Sequence, residues 1–192
     1  MTGQQSLFAD MPPPPERRDR LFFAVLPDAH TADRIFRFAQ TLRAEHGMTT
    51  RVQDAGRMHV TLHHLGDFAG VPQHVVEAAC GAASTVRAAP FDVVFDSAGS
   101  FSGKPGKLPL VLRGDDNPGL RALQRALGAA MAKALLPPDA SFTPHVTLLR
   151  DPVSAPAASI DPIGWRVREF VLIHSLIGQT LHVPLGSWTL QD

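Results

Sequence analysis

Residues 59–66 read HVTLHHLG, three imidazoles and a threonine set into a run that otherwise suits a core strand. The word HVTL returns at His145, where residues 145–150 read HVTLLR. Successive side chains of a strand point to opposite faces, so His59 and Thr61 share one face while Val60 and Leu62 share the other. The same split holds for His145 and Thr147 against Val146 and Leu148. Each segment thus buries an aliphatic pair and presents an imidazole beside a hydroxyl. A single copy reads as good strand sequence with a partly exposed histidine. Two matched copies, both where strands are expected on other grounds, point to one site built from both.

Outward from these two words, the chain alternates strand and helix signals. RLFFAVLPD (20–28) is a strand stopped at Pro27, and Asp28 caps a helix carrying Ala32, Ile35, Ala39 and Leu42 on one face, closed by His46-Gly47. RMHVTLHHLG (57–66) is the second strand. Pro72 opens a helix with Val75, Ala79, Ala82 and Val86 aligned, ended by Ala88-Ala89-Pro90. FDVVFDSAGSF (91–101) and LPLVLR (108–113) are strands joined by the loop SGKPGK. Asn117 is a cap, Pro118 sits in a first turn, and Leu120, Leu123, Leu127, Met131 and Ala134 follow in helical register. After HVTLLR come a Pro/Ala/Ser-rich loop (151–162) and a terminal hairpin from RVREFVLIHSLIG and TLHVPLGSWTL. The expected order is strand–helix–strand–helix–strand, then strand–helix–strand–strand–strand. That is an α+β architecture with a weak internal duplication. Residues 1–18, with four consecutive prolines, are expected to be a flexible tail, and residues 19–192 a single two-lobed domain.

The chain of 192 residues is long enough to bury a core without staples. Its 18 basic and 18 acidic residues cancel, so no global field draws in nucleic acid, and any anion must be held by local cations. The single cysteine, Cys80, excludes an internal disulfide and reads as a small buried hydrophobe. No apolar run is long enough for a membrane span and no signal peptide opens the chain, so the expectation is a cytoplasmic protein.

If the two strands face each other across a groove, two histidines and two threonines converge. Threonine hydroxyls donate to phosphate oxygens. Imidazoles titrate near neutral pH, so one serves as general base while the other, protonated, serves as general acid. That suits phosphodiester chemistry without a metal or a covalent intermediate.

At this point the sequence resembles a known family. The paired His-x-Thr-Leu motifs resemble those of the two-histidine (2H) phosphoesterase superfamily, and more closely the RNA 2′,3′-cyclic phosphodiesterases, also called 2′-5′ RNA ligases. The likeness extends over nearly the whole chain past residue 19: RLFFAVLPD resembles the opening strand, MHVTLHHLG and TPHVTLLR the two motifs, and FVLIHSLIG the closing strands. The resemblance implies two pseudo-symmetric α/β lobes with antiparallel sheets facing a central cleft. It implies opening of a terminal 2′,3′-cyclic phosphate on RNA to a 2′-phosphate, with reversible 2′-5′ ligation as the related reaction and no cofactor. It also assigns His59 as acid and His145 as base for release of the 3′ oxygen, with Thr61 and Thr147 on the substrate. Arg150, where the family often has a substrate-contacting arginine, reads as a phosphate clamp or as a solvated charge at a strand end. The implied partners are RNA ends or small cyclic nucleotides, met by a monomer that does not touch a membrane. With zero net charge, the contact is expected to cover few nucleotides and to depend weakly on salt.

The chain departs from the family where His63 and His64 precede the Leu-Gly. Alternation puts His63 on the face of His59, lining the cleft and touching substrate, and His64 on the other. Three imidazoles in one cleft, His59, His63 and His145, make a zinc-type site the rival enzyme reading, although no carboxylate or cysteine stands at ligand spacing. A binding module that holds RNA ends without turnover is the alternative of another class. Lys104 and Lys107 in SGKPGK suit a hairpin tip, His174 a satisfied core histidine, and Trp165 and Trp188 packing at strand ends.

Overall fold

The computed structural model of the chain describes residues 16–114, 117–138 and 142–191; the expected tail therefore lies outside the described residues up to position 15. The elements in chain order are β1 (Asp19–Val25), α1 (Ala29–Glu45), a 3-10 turn (Ala55–Arg57), β2 (Val60–Phe68), α2 (Gln73–Ala83), β3 (Phe91–Ser100), β4 (Leu108–Arg113), α3 (Pro118–Lys133), β5 (His145–Asp151), β6 (Ala158–Val167), β7 (Glu169–Leu176) and β8 (Leu181–Thr189). The eight strands form one antiparallel sheet in the order β6-β3-β4-β5-β2-β1-β7-β8. From the centre outward, β5 matches β2, β4 matches β1, β3 matches β7 and β6 matches β8. The two expected lobes are thus the halves of one sheet. They meet at β2 and β5, whose register is the single pair Val60↔Val146. The two HVTL strands lie side by side at this seam, not face to face across it.

The helices cover one side of the sheet. There Leu21, Phe23, Ile35, Leu62, Leu123, Leu127, Met131 and Leu148 join one buried cluster, while Phe22, Ala24, Val171 and Ile173 form a smaller one. α1 starts as its sequence dictates: Asp28 accepts from the Thr31 amide at 2.9 Å and the Thr31 hydroxyl at 2.8 Å. It ends at His46, followed by Gly47 at φ +63°. In α3, Leu120, Leu123 and Leu127 are fully buried, each worth about 1.5–3 kcal/mol of transfer free energy.

Four local expectations are corrected. α2 stops at Ala83, short of the Ala-Ala-Pro run, because the Ser84 and Thr85 hydroxyls donate to the carbonyls of Cys80 and Ala82 at 2.9 and 2.7 Å. Asn117 stands at the head of α3 but makes no side-chain cap bond. Its amide instead accepts from the Val94 N–H at 3.0 Å and donates to the Val94 and Gly114 carbonyls, both at 2.8 Å. This buried side chain completes the edge of β3 beyond the end of β4. A Cβ on Gly114 would come within 2.0 Å of the Val94 oxygen, so the approach requires glycine. The supposed loop 151–162 contributes the first half of β6, which tolerates Pro162 because β6 is the last strand of the sheet.

The fourth correction lies in β2. Its register against β1 runs Phe22↔His64 and Phe23↔His63 but then Ala24↔Thr61, so Leu62 is an extra residue. The bulge breaks simple alternation. His63 turns into the core, fully buried, and its Nε2–H donates to the Pro137 carbonyl at 2.9 Å. His64 turns to the opposite face instead. Cys80 is half-buried against the core, and burial raises its thiol pKa. Trp165 stacks on Phe95 at 5.3 Å, Trp188 on Phe170 at 5.3 Å, and His174 donates to Asp19 at 2.7 Å, so all three have structural partners.

Candidate active site

On the face away from the helices, a cavity of about 240 Å³ crosses the seam. His59 and Thr61 line it from the β2 side, and His145, Thr147 and Arg150 from β5. His59 and His145 are held in the same way. His59 Nδ1–H donates to the Arg57 carbonyl at 2.7 Å, and His145 Nδ1–H donates to the Thr143 carbonyl at 2.8 Å, each reaching back two residues. A carbonyl only accepts, so Nδ1 carries the proton in both rings and Nε2 is the nitrogen free to exchange one. Each ring also meets a phenylalanine: Phe22 lies 5.0 Å from His59, and Phe101 meets His145 edge-on at 5.2 Å. The duplication visible in the sequence therefore extends to the tautomer and its aromatic neighbour.

The structure adds residues that the sequence reading missed. His182, on β8, lines the same cavity and meets His59 edge-on at 5.3 Å and Phe22 at 5.6 Å. Arg57 donates from Nη2 to His182 Nε2 at 3.2 Å, while its carbonyl holds His59. One residue thus fixes two imidazoles. Arg20, His64 and Ser175 line the cavity as well; Arg20 is engaged by Asp67 at 2.6 and 2.7 Å. His63 is on the other side of the sheet, so the three imidazoles of the rival metal reading do not share a volume. Among the described residues no group of three or more His, Cys, Asp or Glu is gathered as for a metal ion. The only available signal for His182 was strand alternation in β8, which does not say what the strand packs beside.

The electrostatics follow from crowding cations and neutral rings in a desolvated space. Burial lowers the His59 pKa from 6.5 to about 4, His145 and Arg57 push it the same way, and the Arg57 carbonyl opposes them. Burial, then His59 and Arg57, lowers His182 to about 4. His145 is lowered too, by burial first and then by Arg150, against the Thr143 carbonyl.

A sequence model described as the 2′-5′ RNA ligase superfamily matches residues 27–176, a span holding both HVTL words. The chain belongs to that superfamily. Its members are 2H phosphoesterases, and the eight-stranded α+β fold matches theirs. A solved structure described as a phosphoesterase is 28% identical over 91% of this chain and 99% of its own, with a TM-score of 0.73. E. coli LigT complexed with 3′-AMP is also 28% identical, over 91% and 99% of the two chains, with a TM-score of 0.70. TT0787 of Thermus thermophilus, 22% identical over 89% and 97%, shares the fold with a TM-score of 0.70. No curated protein sequence matches. Superfamily membership makes this chain a phosphoesterase. No helix among the described residues is long and apolar enough to cross a membrane.

Proposed function

We propose that the protein hydrolyses the terminal 2′,3′-cyclic phosphate of RNA to a 2′-phosphate, with His59 and His145 as the proton-transfer pair. The observation that carries this reading is the matched pinning of the two rings. Both offer Nε2 to one cavity that also holds two threonines. His145 Nε2 takes a proton from water as the water oxygen bonds to phosphorus. The bond from phosphorus to the 3′ oxygen breaks, and His59 Nε2–H protonates that oxygen. The Thr61 and Thr147 hydroxyls donate to the non-bridging oxygens, and Arg150 balances their charge. The division into acid and base follows the family resemblance. In the related ligation a 5′-hydroxyl replaces water as the nucleophile: its oxygen bonds to phosphorus, the bond from phosphorus to the 3′ oxygen again breaks, and a 2′-5′ linkage forms. The solved complexes of E. coli LigT with 3′-AMP, NADP+ and ATP support a nucleotide-sized ligand for such a cavity.

The test is hydrolysis of a short RNA ending in a 2′,3′-cyclic phosphate, with a chelator present. Wild type opens it to the 2′-phosphate, and His59→Ala and His145→Ala each lose about 10²- to 10⁴-fold in kcat. Loss of wild-type activity to the chelator, or full activity in either variant, refutes the mechanism.

A further inference from the structure

We infer that the protein has a second phosphate subsite beside the histidine cleft, which takes the internucleotide phosphate on the 5′ side of the terminal nucleotide. This inference rests on the proposed reading of the cleft as a site for RNA ends. A second cavity of about 230 Å³ lies between the segment around Arg51–Arg57 and β5. It shares Gln53, Arg57, Thr147 and Arg150 with the cleft, so the two form one trough.

Three guanidinium groups border it, those of Arg51, Arg57 and Arg150, against one carboxylate, Asp54, which Arg51 already engages at 2.5 Å. Arg57 is the informative one. It is half-buried, its guanidinium bonds the neutral ring of His182, and its Nε is buried with no hydrogen-bond partner among the described residues. Burial also lowers its pKa, the direction expected of a cation short of counter-charge. A desolvated guanidinium in this state is stabilised by an anion with a planar set of acceptors, and a phosphodiester supplies one.

The wall is preformed. Asp151 accepts from the Thr49, Thr50 and Val153 amides at 3.0, 2.8 and 2.9 Å, and the Gln53 amide donates to the Leu148 carbonyl at 2.7 Å. These bonds clamp the segment bearing Arg51 onto β5. Successive phosphates of one strand are separated by a single nucleoside, and a trough continuous with the cleft is where the next phosphate falls. The subsite confines the charge contact to a few local cations, in keeping with a chain of zero net charge.

Affinity separates this subsite from the chemistry. Two dinucleotides ending in a 2′-phosphate, the product of the proposed reaction, are titrated calorimetrically. One has a normal phosphodiester between its nucleosides and the other a neutral methylphosphonate. Wild type is expected to bind the charged one about tenfold tighter or more. Arg57→Met brings the ratio close to one, and Arg51→Ala, at an exposed position that does not depend on the core, reduces it. Equal wild-type affinities overturn the inference, as does a ratio kept by both variants. Hydrolysis of a 2′,3′-cyclic mononucleotide reports separately on the cleft: its absence sinks the proposed reaction, while the affinity ratio still decides the subsite.

Discussion

The histidine pair has a pH signature that follows from its burial. Acid–base catalysis by two imidazoles needs one protonated and one neutral. With His59 at about 4, roughly one molecule in a thousand carries the proton at neutral pH, against about one in four for a ring at 6.5. His145 is lowered as well, so exchanging the roles does not restore the active form. In the free enzyme, kcat/KM should therefore peak below 6.5 and fall about tenfold per pH unit on the alkaline limb. Bound substrate changes the balance, because an anionic phosphate between the rings favours the imidazolium. The optimum of kcat should lie at higher pH than that of kcat/KM. Arg57→Met removes a cation beside His59 but keeps the carbonyl that pins it, so its kcat/KM profile should move toward higher pH. The assay is steady-state hydrolysis of a 2′,3′-cyclic nucleotide from about pH 4 to about pH 8.5 at fixed ionic strength. A kcat/KM optimum at or above neutrality, or coincident kcat and kcat/KM profiles, would refute the reasoning.

Further outcomes follow from the same geometry. His182→Ala removes the ring edge against His59 and should lower kcat about tenfold, with the alkaline limb moved up as the burial of His59 is relieved. His182→Phe should recover most of that rate, and equal losses in the two variants would show that the ring contact is irrelevant. Asn117→Ala leaves the Val94 N–H and two carbonyls without their amide partner, a loss of about 2–4 kcal/mol in denaturant unfolding; a change under about 1 kcal/mol would contradict that role. His59 and His182 are neutral in the fold down to about 4 but take protons near 6.5 when unfolded. Stability should then fall as pH drops from 6.5 toward 4, and the midpoint of unfolding should be flatter across that window in the double alanine variant. Asp151→Asn loses one of the acceptors on the Thr49, Thr50 and Val153 amides, so those amides should exchange hydrogen faster than in wild type.

The sequence by itself determined most of the elements and the residue types that the two seam strands present. Apolar spacing placed α1 and α3, Asp28 and Gly47 bounded α1, and the doubled HVTL word put an imidazole and a hydroxyl on one face of each seam strand. These are local facts, set by side-chain period and by backbone preference at single residues. Tertiary structure decided what those faces meet. The bulge at Leu62 is imposed by the register against β1, and it sends His63 into the core and His64 outward, the reverse of what alternation along β2 predicts. Asn117 carries the sequence of a helix cap but works as an edge partner for β3, because a backbone gap opens beside it in space. β6 hid behind Pro162 and the Pro/Ala/Ser-rich run before it; an edge strand tolerates such a proline and a central one does not. His182 and Arg57 are 125 positions apart, yet they meet over His59. Local sequence fixes which way a side chain leaves a regular strand, whereas strand order, register and the bulges that register imposes fix its final face and its neighbours, and neighbours set the pKa values and the charge on which the proposed chemistry depends.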